Sequence, residues 1–138
     1  MTDGQVKAGG NGLIPAATIL LLRDGTEGLE VFMVVRHHQI DFASGALVFP
    51  GGKVDKLDMA PGVRERADGM EGLDDWEFSM RVAAIREALE ESGVLLARSE
   101  RTGSLIDAGR LKTLEQFRDP LNKGELGIAD FLAREGLR

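Results

Sequence analysis

The sequence predicts an α/β domain, and three observations carry that reading. Two runs rich in leucine, isoleucine and valine, residues 16–22 and 29–36, flank a glycine-bearing turn. A helix signature opens at Asp74 and stops at Gly93. The residues from 104 onward are helical by composition. The chain has 138 residues and is 43% hydrophobic, which favours one domain with a real core over disorder.

Residues 1–12 are polar and glycine-rich and are expected to form a flexible tail, so the folded domain is placed at 13–138. The longest apolar stretch, residues 13–22, is read as a buried strand. It is far shorter than the roughly 20 residues that span a membrane. Arg23-Asp24-Gly25 follows it, where a signal peptide would carry a small-residue cleavage site. Residues 24–28 supply a turn, giving a hairpin or two neighbouring strands. Residues 37–45 read as a loop, and 46–49 as a short strand ending at Pro50-Gly51-Gly52. Proline removes a backbone donor there, and two glycines admit close approach of another group. Residues 59–72 read as an insertion or surface loop. Asp74 with Glu77 three residues on has the logic of a capping box, and Val82, Ile85 and Leu89 form an apolar stripe. Residues 94–97 read as a short strand or the run-out of that helix. Beyond 104 the helical composition is interrupted at Pro120 and Gly124.

Composition excludes several functions. There is no cysteine, which removes disulfide scaffolds, zinc ribbons and thiol catalysis and allows a reducing compartment; the expectation is a cytoplasmic protein. The two histidines, His37 and His38, are neighbours, which argues against a multi-histidine metal cage. Aromatic residues make up 5% with no tyrosine, and the net charge is −6. Both argue against nucleic acid as a partner, and no membrane partner is expected. A small anionic substrate remains open to an acidic protein if a cation mediates the contact.

The segment Arg86-Glu87-Ala88-Leu89-Glu90-Glu91-Ser92-Gly93-Val94 breaks local rules. On a helix, Glu87, Glu90 and Glu91 crowd one side of the last two turns. There they repel one another and oppose the helix dipole. Arg86 can reach Glu90, in the weaker orientation. Most glutamate clusters are solvated faces. A divalent cation would reverse the argument, because magnesium or manganese takes carboxylate oxygens and can bridge phosphates.

These residues resemble the Nudix box, G-x5-E-x7-R-E-U-x-E-E-x-G-U, where U is apolar. Arg86, Glu87, Ala88, Glu90, Glu91, Gly93 and Val94 fit the second half at every specified position. In the first half Gly52 matches the opening glycine, and Asp58 stands where a glutamate belongs. Between Asp58 and Arg86 lie 27 residues where the pattern has seven, which places an insertion of 20 residues, 59–78, inside the box. Such an insertion, with Phe49-Pro50-Gly51-Gly52-Lys53-Val54-Asp55 before it, is similar to the branch that includes coenzyme A diphosphohydrolases.

The resemblance implies a Nudix-type α/β/α sandwich with a mixed sheet, and hydrolysis of the diphosphate bond of a nucleoside diphosphate linked to another group. Glu87, Glu90 and Glu91 would bind Mg2+ or Mn2+. Glu90 and Arg86 are the catalytic candidates: one of the glutamates, or a carboxylate elsewhere, would help deprotonate water, and Arg86 would orient the glutamates. Gly52 would let the backbone approach the helix and metal, and Asp58 is open as a ligand because the insertion can move it. Substrate-binding candidates are Gly51, Gly52, Lys53 and Arg36; arginine matches phosphate bidentately, while a solvated strand end and a solubilising lysine are the plain alternatives. Trp76 is read as a core anchor rather than a base-stacking surface.

Family members continue after the box with further strands and a long helix, whereas residues 99–138 here read as polar helix and turn. The sheet is therefore expected to lack its C-terminal strands. That leaves an exposed edge, and with it a homodimer or a marginally stable chain. Two functions follow: a metal-dependent diphosphohydrolase acting on a small nucleotide conjugate, or a Nudix-like binding or interaction module without turnover.

Overall fold

The computed structural model describes residues 12–35 and 45–138. Six short strands come first: β1 (Ala16–Thr18), β2 (Leu22–Gly25), β3 (Gly28–Val31), β4 (Val34–Val35), β5 (Leu47–Val48) and β6 (Gly51–Lys53). They form three antiparallel ladders, β1 with β6, β2 with β3 and β4 with β5. A 3₁₀ turn over Lys56–Met59 leads to α1 (Pro61–Arg64) and the long α2 (Asp75–Ser92). Then come α3 (Ala108–Leu114), a 3₁₀ turn at Glu115–Phe117, α4 (Arg118–Asn122) and α5 (Ile128–Glu135). The α/β class is the expected one. Among the described residues no helix is long and apolar enough to cross a membrane. The tail assigned to 1–12 lies, except for Gly12, outside the described residues.

The predicted hairpin is β2–β3, and its turn is tighter than 24–28. Gly25 already pairs with Gly28, whose φ of 130° suits a residue without Cβ. The run at 16–22 is not one strand. Its first part pairs with Gly51–Lys53, and the Ile19 N–H still reaches the Pro50 carbonyl at 2.9 Å. Leu22 then opens the ladder to Val31, with the Phe32 N–H donating to the Leu21 carbonyl at 2.9 Å. The chain changes partner between, so one apolar run serves two ladders. Nor is the run buried as expected. Leu13, Ile14, Leu20 and Leu22 are exposed, and only Pro15 and Ala17 are buried, because no described element lies over that face.

The helical part carries the main core. Asp74 accepts the Glu77 N–H at 2.8 Å and starts α2. Gly93, at φ 75°, ends it with its N–H on the Leu89 carbonyl. Phe78, Val82 and Leu89 of α2 pack with Leu114, Phe117, Leu121 and Phe131, and Ile85 lies against them half-buried. Trp76 is not an anchor. It stands exposed in the first turn of α2, and Phe78 fills the core position. Residues 59–72 are more than a surface loop: Pro61 opens α1 at a position that needs no N–H, and Val63 is buried in the main core. Residues 94–97 form neither strand nor helix but an extended segment that buries Leu95 and Ala97. Pro120 does not interrupt the chain, since it falls in the first turn of α4, where its missing donor costs nothing. The break comes at Gly124, at φ 67°.

Strand and helix parts meet where β1 and β6 lie on α2. The second core there is small: Ala17, Val54, Ala83 and Ala84. Short side chains let the strand backbone come close to the glutamate-bearing helix.

Candidate active site

Close approach is greatest at the two glycines. A Cβ on Gly51 would lie 2.4 Å from the Ala17 carbonyl oxygen, and one on Gly52 would lie 2.4 Å from the Glu87 carboxylate. The first addition would force the strand off its neighbour, and the second would push the Glu87 carboxylate aside. The Gly51 N–H donates to Oε2 of Glu91 at 3.2 Å. Gly52 thus lies where its backbone is close to the Glu87 side chain.

Arg86 sits at the centre of the site and is nearly buried, at 8% exposure. Its Nε donates to Oδ1 of Asp58 at 2.7 Å, and Nη2 donates to Oδ2 of Asp58 and to the Lys53 carbonyl, both at 3.0 Å. Its Nη1 donates to Oε1 of Glu87 at 3.0 Å and to both oxygens of Glu90 at 3.0 and 3.1 Å. One planar fork thus ties together three carboxylates and the strand of the box glycines.

Asp58 is fully buried and has not been moved away by the insertion. It accepts the Asp55 N–H at 2.8 Å, while the Asp55 side chain accepts the Leu57 N–H at 2.8 Å, a reciprocal box around the 3₁₀ turn. Both of its oxygens accept from Arg86. Sequence reasoning missed Asp55; the signal was an aspartate pair three residues apart ahead of a turn. Lys53 exposes its side chain and contributes its carbonyl to Arg86. Arg36 lies outside the described residues.

Burial pushes the Glu90 carboxyl up to about 7, with the charges of Glu87 and Asp58 adding to the rise and Arg86 opposing it. Glu87 is raised for the same first reason, burial, again against Arg86. Burial works against the charge of Arg86. Asp58, then Glu90 and Glu87, outweigh that, so its pKa stands above the usual arginine value.

The donor set fits a hard divalent cation in kind. Carboxylate oxygens are its preferred ligands, and two of the three glutamates carry the desolvated charge that a cation relieves. In the described arrangement Glu87 and Glu90 turn to Arg86, and among the described residues no three acidic or imidazole groups converge on one point. Holding an ion therefore requires a glutamate to turn off the guanidinium. A cavity of about 300 Å³ opens beside the cluster, between Arg86, Glu87 and Glu90 on one wall and Leu121, Asn122 and Gly127 on the other. A second cavity, apolar and about 170 Å³, lies by Val82, Ile85 and Leu132 of the main core, and no box carboxylate lines it.

Over 91% of its length the chain is similar to the crystal structure of a NUDIX hydrolase from Alicyclobacillus acidocaldarius, with a TM-score of 0.66 and 31% identity. The chain spans 55% of that protein's length. No family model and no curated protein matches the chain.

Proposed function

We propose, from the similarity in fold to a NUDIX hydrolase and from the box motif, that this chain is a metal-dependent hydrolase of the Nudix superfamily. Its substrate is a small nucleoside diphosphate conjugate, with a coenzyme A derivative as the first candidate, and the bond it breaks is the diphosphate. The observation that supports this most directly is the Arg86 fork. It fixes Asp58, Glu87, Glu90 and the strand of Gly51 and Gly52 as one unit. Such a unit is what a reaction run by positioned carboxylates requires.

Glu87, Glu90 and Glu91 would hold Mg2+ or Mn2+, which when bound neutralises phosphate charge and acidifies a water. Arg86 orients the glutamates. Glu90 is the proposed acceptor of the proton from the attacking water. Gly51 and Gly52 keep the strand low enough for the glutamates to be reached, and Lys53 offers an exposed positive charge at the cavity rim. Arg36 is proposed as a phosphate contact. The setting is cytoplasmic, and a second copy covers the exposed strands; light scattering showing only monomer would remove that last element.

The test is a panel of nucleotide conjugates with Mg2+ or Mn2+, followed by release of phosphate-containing products. Glu91→Gln is expected to lower turnover by at least about 10²-fold with the melting temperature retained. Turnover that survives in Glu91→Gln overturns the assignment. The contacts of Glu87 and Glu90 with Arg86 favour one second reading, a binding module without turnover. Binding of metal and conjugate with no product formed would select it.

A further inference from the structure

The end of α2 poses an electrostatic problem. Glu87, Glu90 and Glu91 occupy its last two turns, where a helix carries partial negative charge, and the last turn holds no basic residue. The final carbonyls also lack partners within the helix. The Val94 N–H, which could have served the Glu90 carbonyl, goes instead to the Ser92 hydroxyl at 3.4 Å.

The missing charge and donor come from another element. Arg118, the first residue of α4, donates from Nε to the Glu90 carbonyl at 3.0 Å and pairs with Glu115 of the preceding 3₁₀ turn. Gly93 makes room for that pair. A Cβ at Gly93 would stand 3.1 Å from Oε2 of Glu115 and 3.7 Å from Nη1 of Arg118. Phe117 and Leu121, which flank Arg118, are buried in the main core, so the guanidinium arrives on a fixed element.

We infer that Arg118 is a positioning residue for the box. It holds the Glu90 carbonyl, and with it the direction in which Glu90 and Glu91 leave the helix end. Its guanidinium faces the negative helix end there, with Glu115 taking up part of the charge. The inference rests on the proposed reading of these glutamates as a cation site.

Arg118→Gln, Arg118→Lys and Leu132→Ala test it on the whole chain, with Mn2+ alone as probe. Free Mn2+ is read by its paramagnetic resonance signal, and amide hydrogen exchange is read at residues 90–94. Arg118→Gln is expected to weaken Mn2+ binding by roughly threefold to tenfold and to speed exchange at 90–94. Arg118→Lys, which keeps charge without the planar fork, recovers part of both. Leu132→Ala, in the main core but away from the carboxylate cavity, lowers the melting temperature and leaves Mn2+ affinity in place. Unchanged affinity in Arg118→Gln, or an equal loss in Leu132→Ala, overturns the inference. If the unaltered chain binds no Mn2+, the cation reading falls with it. Exchange at 90–94 then still decides whether Arg118 holds this turn, and no change there overturns that as well.

Discussion

The strand segment and the helical segment both carry leucine, isoleucine and valine, yet they treat them differently. In the strands, Leu20, Leu22, Leu29, Val31, Val35 and Leu47 are exposed, Leu29 at 72%. In the helices, Leu89, Leu114 and Phe131 are at 0%. A strand presents alternate side chains to two faces, and each apolar face needs a covering layer. A helix presents one stripe, and α2, α4 and α5 cover one another's stripes. The helical part therefore holds its own core, while the strands are attached to it along a seam. That seam is made of Ala17, Val54, Ala83 and Ala84 together with the polar contacts of Arg86 and Glu91. The candidate active site is the seam itself.

The contrast can be broken by paired truncations. Phe131→Ala empties the centre of the helical core and is expected to cost about 3–5 kcal/mol in denaturant unfolding. Leu29→Ala removes a side chain exposed in the single chain and, measured at a dilution where the chain is monomeric, is expected to stay within about 0.5 kcal/mol. Comparable losses from the two would mean that the strand face is covered in solution, and the difference between the parts would vanish.

Asp58→Ala tests the seam. It leaves the nearly buried Arg86 without its main partner, a loss of about 3–5 kcal/mol for a broken buried pair. Because Arg86 also donates to the Lys53 carbonyl, amide exchange in β6 should rise more than in α5. Uniform exchange across both elements would show that Arg86 does not join strand to helix.

Local signals are the legible ones. Asp74 and Gly93 mark the ends of α2 because a cap and a left-handed stop act within one turn. The carboxylate crowd at Glu87, Glu90 and Glu91 is visible because helical spacing alone brings those residues together. What depends on which elements become neighbours is not visible. The change of partner after Thr18 requires knowing that Gly51–Lys53 returns beside β1. Asp58 and Arg86 meet across 28 positions, and Arg118 reaches Glu90 across another 28. No periodicity encodes either contact. Trp76 and Pro120 mislead for a related reason. Their residue types suggest core and break, but their places in a first turn allow exposure and continuity.

The smallest expected effect is the most specific to the site. The Glu90 carboxyl is held up to about 7, by burial first, so it binds its proton more tightly in the folded chain than in the unfolded one. The stability tied to it is therefore full below the unfolded-chain value near 4.5 and is lost as pH rises towards 7. At about 1.4 kcal/mol for each tenfold change in proton affinity, the loss is on the order of 1–3 kcal/mol. Glu87, also raised, contributes with the same sign. Other carboxylates overlie this trend, so the informative quantity is the difference between the unaltered chain and Glu90→Gln, followed by thermal melts from about pH 4.5 to 8 without metal. Glu90→Gln should flatten the decline, because its side chain cannot ionise. Mg2+ should restore stability at about pH 7.5 to the unaltered chain and much less to Glu90→Gln, since an ion that binds only the folded state stabilises it and the variant lacks one charged ligand. If both proteins show the same slope and the same response to Mg2+, the charge on Glu90 plays no part in the seam. The helical core alone would then account for the stability of the site.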